Sequence, residues 1–122
     1  MSSERYVLGY DFGTESARAL LVNVRTGEEV ATSVSPYRHS VIEDLLPDTD
    51  IALSDDWALQ HPGDYLESLA DVTHAVLHSS GINAEHIVGI GVDFTSCTLM
   101  PTDAFAEPLC MKPEFSADPN AW

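Results

Sequence analysis

Two short apolar runs that each end in an aspartate constrain the fold of this chain more than any other feature. Residues 6–10 are followed directly by Asp11, and residues 87–92 are followed directly by Asp93. Both runs are rich in β-forming side chains, so each is predicted to be a buried strand. Small hydroxyl residues follow each aspartate, which indicates a shared cleft where the two strands end. The alternative is that each aspartate only accepts local backbone N–H groups at a strand exit.

The segments between these two runs predict the rest of a mixed sheet. Residues 17–24 read as a second apolar strand, residues 25–28 as a tight turn, and residues 29–34 as the return strand of a hairpin. After Pro62, apolar positions recur at helical spacing until Gly81, a natural C-terminal stop. We therefore predict an α/β fold with an antiparallel meander, then a crossover helix that returns residues 87–92 parallel to residues 6–10. The apolar helical positions are Leu66, Leu69, Ala70, Thr73, Val76 and Leu77.

The other segments carry weaker signals. Residues 36–56 contain two prolines and many acids and are predicted to be a long loop, which is usually functional or an insertion. The apolar residues on either side of Thr102 and Asp103 predict a second hairpin. The tail up to Trp122, with Pro113 and Pro119, is predicted to be irregular and to expose apolar surface that favours self-association into a homo-oligomer.

Composition restricts the classes of partner. The 122 residues carry 20 acidic and 5 basic side chains, with a formal net charge of −15. Such a surface repels phosphate backbones and anionic lipids, so neither a nucleic acid nor a membrane is expected as a partner. Cys97 and Cys110 form no CxxC pair, which argues against structural zinc and favours a reducing, cytoplasmic setting.

The turn after the first strand is the strongest chemical motif. In DFGTESAR, residues 11–18, a glycine and two hydroxyl residues follow a carboxylate, and an arginine follows them. Gly13 permits close approach to the backbone, whose N–H groups can face a phosphate, while Asp11 can hold magnesium through water. An ordinary hairpin turn explains the same spacing equally well. The sequence has neither GxxxxGK[ST] nor GxGxxG, so neither a P-loop nor a Rossmann motif is present.

Histidines and acids elsewhere are better explained by packing or solvation. His74 and His78 are four residues apart on the predicted helix, a spacing that can bind zinc, but the glutamate of the HExxH motif is absent. Both lie beside the apolar face of the helix, so a place at the edge of the core explains them better than a zinc site does. His39 is expected to pack a loop rather than to approach a ligand. The acids of the long loop lack the EF-hand pattern and are expected to be solvated.

Taken together, the motifs resemble the FGGY family of carbohydrate kinases. The likeness lies in DFGTESAR, in WALQHP with the following DYL, in GIGVDFTSCTLMPTD and in PNAW at the end, so it covers essentially the whole chain. The resemblance implies a ribonuclease H-like fold of the actin and hexokinase type. It also implies ATP-dependent, magnesium-assisted phosphorylation of a ketopentose.

The resemblance also assigns roles to residues. It makes Asp11 the magnesium-associated acid and Ser96 and Cys97 sugar-contacting residues, and it leaves Asp93 without a definite role. Gly13, Thr14 and Ser16 would form the phosphate loop. Arg18 would place a positive charge near the γ-phosphate of ATP.

Family members are several times longer, and their catalytic base, substrate-binding lysine and adenine pocket lie beyond the position of Trp122. We therefore expect residues 1–122 to be the N-terminal part of the first kinase domain, an incomplete domain without the general base and inactive alone. Two alternatives stay open: a non-catalytic acidic binding module that keeps the fold, and a kinase for a different pentulose.

Overall fold

A computed structural model describes residues 4–122. These residues form a four-stranded sheet with one long helix, and three single-turn 3₁₀ helices at residues 84–86, 109–111 and 119–121. Within the described residues, no helix has the length and apolarity needed to span a bilayer. The regular elements are β1 (Tyr6–Phe12), β2 (Ser16–Asn23), β3 (Glu29–Pro36), α1 (Pro62–Ser80) and β4 (Ile87–Phe94).

The strands are ordered β3-β2-β1-β4 across the sheet. β1, β2 and β3 pair in antiparallel fashion, and β4 lies parallel to β1 on its other side. The predicted meander, crossover helix and parallel strand are therefore confirmed. The meander turns at Gly27, whose φ of 74° is a conformation that glycine adopts without strain.

Local signals set the limits of α1. His61 is the N-cap, and its ring accepts the N–H of Gly63, while Pro62 occupies the first turn. Gly81 ends the helix in a left-handed conformation, with its N–H donated to the carbonyl of Leu77. The side chain of Asn83 then caps the 3₁₀ turn before β4 by accepting the N–H of Glu85.

The main core lies between α1 and one face of the sheet. Leu8, Tyr10 and Leu21 from the strands pack with Val72 and Val76 from the helix, and all five side chains are buried. Burying a Leu or Val side chain contributes roughly 1.5–3 kcal/mol, so this contact fixes the helix on the meander.

The buried stripe of α1 differs from the predicted one at its first turns. Leu66 is 71% exposed and Ala70 is exposed, whereas Asp64 and Ser68 are buried. The two polar residues tolerate burial because they have partners: Asp64 accepts hydrogen bonds from the loop after β3, and Ser68 accepts one from Ser35.

For the C-terminal quarter, one prediction is wrong and another holds only in part. The second hairpin reduces to one bridge between Thr102 and Pro108, since proline offers no N–H to extend a ladder. Ala121 and Trp122 do not form an exposed tail either. They belong to a second core with residues of the predicted 36–56 loop, namely Ile42 and Leu46. Exposed apolar side chains lie along β4, in the loop after it and in the tail, at Val88, Ile90, Val92, Phe94, Leu99, Phe105 and Phe115.

Candidate active site

The aspartates near the ends of β1 and β4 lie side by side on the face of the sheet opposite α1. Asp11 is opposite Asp93 in the β1–β4 pairing and opposite Arg18 in the β1–β2 pairing. Residues directly opposite on paired strands share a face, and this face is the reverse of the one that carries Leu8 and Tyr10. All three charged side chains are exposed there. The sheet thus brings together three residues that the sequence singled out.

This open face offers space for a ligand beside the charges. Gly9 and Gly91 are opposite each other, and a Cβ on either would meet no atom within 4 Å. A shallow cavity of about 380 Å³ runs from them to Asp11, Arg18 and Asp93. Arg18 forms no ion pair with the described part of the chain, residues 4–122. Two carboxylates on one face suit a magnesium ion that keeps several of its waters.

The turn between β1 and β2 presents unpaired backbone donors. The N–H of Gly13 donates to the carbonyl of Ser16 at 2.9 Å, and a Cβ on Gly13 would lie only 3.2 Å from that oxygen. The N–H groups of Thr14 and Glu15 find no acceptor among residues 4–122. A tight turn with free N–H groups is a suitable cradle for an anion.

The loop after β4 meets this turn at the same end of the sheet. Thr95 donates its N–H to the carbonyl of Phe12 at 2.9 Å, which confirms the predicted juxtaposition of the turn with residues 93–97. Cys97 is exposed, has a φ of 69°, and lines a cavity of about 350 Å³ together with Thr14. Ser96 is exposed but is not part of that lining.

Sequence reasoning missed the residues that connect this region to α1. Gln60 lines the 350 Å³ cavity and also a neighbouring cavity of about 260 Å³. Tyr65 and Met100 line the smaller cavity with it. Its side chain donates to the carbonyl of Thr14 at 2.5 Å. The sequence signal was present, because Gln60 lies in the WALQHP motif and Tyr65 in the following DYL, but the motifs gave neither residue a role.

A histidine pair packs at the start of α1. The rings of His39 and His61 stack with centroids 4.2 Å apart, and His39 Nδ1 lies 2.7 Å from Asp64 Oδ1. Burial lowers the pKa of His61, and the neighbouring His39 lowers it further. Ligand atoms of His39, His61 and Asp64 lie within 4.8 Å of one another. However, both Nδ1 atoms already have partners, Asp64 for His39 and the N–H of Gly63 for His61. The cluster therefore fits the packing role expected for His39 better than a metal site.

Comparison with known proteins identifies relatives over nearly the full chain. Residues 6–112 match the N-terminal domain of the FGGY family of carbohydrate kinases. Ribulokinase from Geobacillus thermodenitrificans is 53% identical over 119 residues, which cover 98% of this chain and 21% of that protein. Ribulokinase from Mycolicibacterium smegmatis is 40% identical over 119 residues, covering 97% and 21% respectively. The chain thus spans about a fifth of the length of these curated relatives.

Among solved structures, gluconate kinase from Lactobacillus acidophilus has a similar fold. The TM-score is 0.56 and the identity 18%, over 76% of this chain and 16% of that one. This likeness agrees with the mixed sheet and crossover helix described above. From the match over residues 6–112, the chain belongs to the FGGY family of carbohydrate kinases.

Proposed function

We propose that this chain forms the N-terminal part of the first domain of a sugar kinase that transfers the γ-phosphoryl group of ATP to L-ribulose. The product would be L-ribulose 5-phosphate, an intermediate of arabinose breakdown, made in the cytoplasm. The observation that carries the proposal is the meeting of the Gly13–Ser16 turn with the loop after β4 at one end of the sheet. Relatives named ribulokinase at 40–53% identity support the choice of sugar.

In this proposal the chain binds and orients phosphates. The free N–H groups of Thr14 and Glu15, with Gly13 and Ser16 shaping the turn, hold phosphate oxygens. Arg18 lies beside Asp11 on the open face of the sheet and stabilises the negative charge that develops while the phosphoryl group is transferred. Asp11 would hold magnesium through water, with Asp93 opposite it, and the metal would offset the charge of the phosphates.

The remaining parts of the reaction lie elsewhere in this proposal. Ser96 and Cys97 contact the sugar from the loop after β4. The sugar hydroxyl attacks the γ-phosphorus, ADP leaves, and a general base outside residues 1–122 takes the hydroxyl proton. One wall of a cleft cannot position both substrates, so the 122-residue chain alone should be inactive.

A coupled ADP-release assay tests this function. The protein from the complete reading frame is incubated with ATP, magnesium and either L-ribulose, D-xylulose or glycerol, beside the 122-residue chain. We expect ADP release that depends on L-ribulose from the complete protein and none above background from the short chain. Preference for another sugar would support the different pentulose kinase. If the complete protein releases no ADP with any of the sugars, the non-catalytic acidic module is favoured.

A further inference from the structure

The backbone of the Gly13–Ser16 turn is held by residues from two distant segments. The hydroxyl of Tyr37, after β3, donates to the carbonyl of Gly13 at 2.8 Å. The backbone N–H of Tyr37 donates to the carbonyl of Glu15 at 2.9 Å. The side-chain amide of Gln60, before α1, donates to the carbonyl of Thr14 at 2.5 Å. Three successive carbonyls of the turn are thus fixed by partners that neither strand of the hairpin supplies.

Fixing these carbonyls also aims the N–H groups. The bonds of the turn are trans, and in a planar trans peptide the C=O of one residue points opposite to the N–H of the next. The bond from Tyr37 to Gly13 therefore directs the Thr14 N–H away from Tyr37. The bond from Gln60 to Thr14 directs the Glu15 N–H in the same manner. These two are the N–H groups that have no acceptor among residues 4–122.

The two holding side chains are themselves held. Tyr37 is buried, and its ring packs edge-on against Tyr65 with centroids 5.4 Å apart. The hydroxyl of Tyr65 donates to the Oε1 of Gln60, which leaves the Nε2 of Gln60 to face Thr14. Burial raises the pKa of Tyr37 to about 12, so its hydroxyl stays a donor at any pH suited to an assay.

We propose that Tyr37 and Gln60 are positioning residues that aim the Thr14 and Glu15 N–H groups at a phosphate of the nucleotide, with Tyr65 orienting Gln60. The inference rests on the proposed kinase function, but it concerns residues to which neither the motif nor the comparisons give a role. Neither side chain touches the substrate in this account. Each acts through a carbonyl of the turn.

The test uses the protein from the complete reading frame and substitutions that remove single hydrogen bonds. Tyr37→Phe removes only the hydroxyl that donates to Gly13, and Gln60→Met removes the amide that donates to Thr14 at a half-buried position. Tyr10→Phe is the matched control, because its hydroxyl bonds Thr73 at 2.6 Å inside the core. Steady-state kinetics with MgATP and L-ribulose and the melting temperature are measured for each variant.

We expect Tyr37→Phe and Gln60→Met each to weaken the binding of MgATP or to slow phosphoryl transfer from it. Loss of one such hydrogen bond should raise the KM for MgATP or lower kcat by roughly three- to tenfold. The KM for L-ribulose should stay within about twofold. The effect of Tyr37→Phe should be the same from about pH 6 to 9. Tyr10→Phe should lower the melting temperature and leave both KM values unchanged.

Two results would overturn the inference, and they are distinguishable. If the wild type is active and both turn variants match Tyr10→Phe in every kinetic parameter, the hydrogen bonds serve stability alone and this inference fails while the kinase function stands. If the wild type releases no ADP with any sugar, the proposed function fails and the inference fails with it.

Discussion

Protonation of His61 should weaken the start of α1. The Nδ1 of His61 accepts the N–H of Gly63 at 3.0 Å, and a protonated ring has no lone pair left for that bond. The pKa of His61 is lowered first by burial and then by the stacked His39, against the opposing effect of Asp64. The folded protein therefore binds this proton less readily than the unfolded chain does. The stability that His61 supplies is complete above about pH 6.5, the ordinary histidine value, and is lost as the pH falls through the lowered pKa.

The size of this loss follows from the cap. Removing an N-cap acceptor costs about 1 kcal/mol, within a range of roughly 0.5–2 kcal/mol. For a chain of 122 residues, about 1 kcal/mol corresponds to a fall in melting temperature of roughly 3–6 °C.

Thermal unfolding followed by circular dichroism at about pH 7.5 and 5.5 measures the effect. His61→Asn keeps an N-cap acceptor that does not titrate, and His74→Asn removes a histidine that is exposed on α1. Titration of the many carboxylates affects all three proteins alike, so the comparison isolates His61. The wild type and His74→Asn should each lose roughly 3–6 °C more than His61→Asn. Equal losses in all three would refute the reasoning.

Two further predictions concern stability. Leu21→Ala opens a cavity between α1 and the sheet and should lower the free energy of unfolding by about 2–5 kcal/mol in urea titrations, whereas Leu66→Ala at an exposed site should change it by less than about 0.5 kcal/mol. Equal effects would show that the helix is packed differently. With a net charge of −15, raising the salt concentration to about 1 M should raise the melting temperature by screening self-repulsion, although the exposed Arg38–Glu67 pair weakens slightly. A melting temperature that falls with salt would contradict this.

Sequence patterns predicted the regular elements because those elements depend on local signals. The strands follow from β-forming runs, and α1 follows from Pro62, the helical spacing and Gly81. The pattern failed at the first turns of α1 because the polar residues there are buried with long-range partners, as Asp64 is with His39. Hydrophobic periodicity carries no information about such partners. The prediction of a C-terminal hairpin failed because the residues beside the turn include prolines.

The candidate site likewise contains residues that local sequence signals place and residues that they do not. Asp11, the Gly13 turn and Asp93 could be placed together from sequence, because parallel strands bring their carboxyl ends to one edge. Tyr37 and Gln60 could not, because their contacts with the turn join residues 24 and 46 positions apart, and neither lies in a regular element. Such contacts depend on how the long loop folds against α1, and no local preference encodes that.

The measurement that tests the central claim most directly is the kinetic effect of Asp11→Ala in the protein from the complete reading frame. If Asp11 acts on the metal and the phosphates, turnover should fall by about 100-fold or more while the KM for L-ribulose changes little. Asp50→Ala, which removes an exposed acid of the long loop, should leave both parameters unchanged. Unchanged turnover in Asp11→Ala, or a loss confined to the KM for the sugar, would contradict the account.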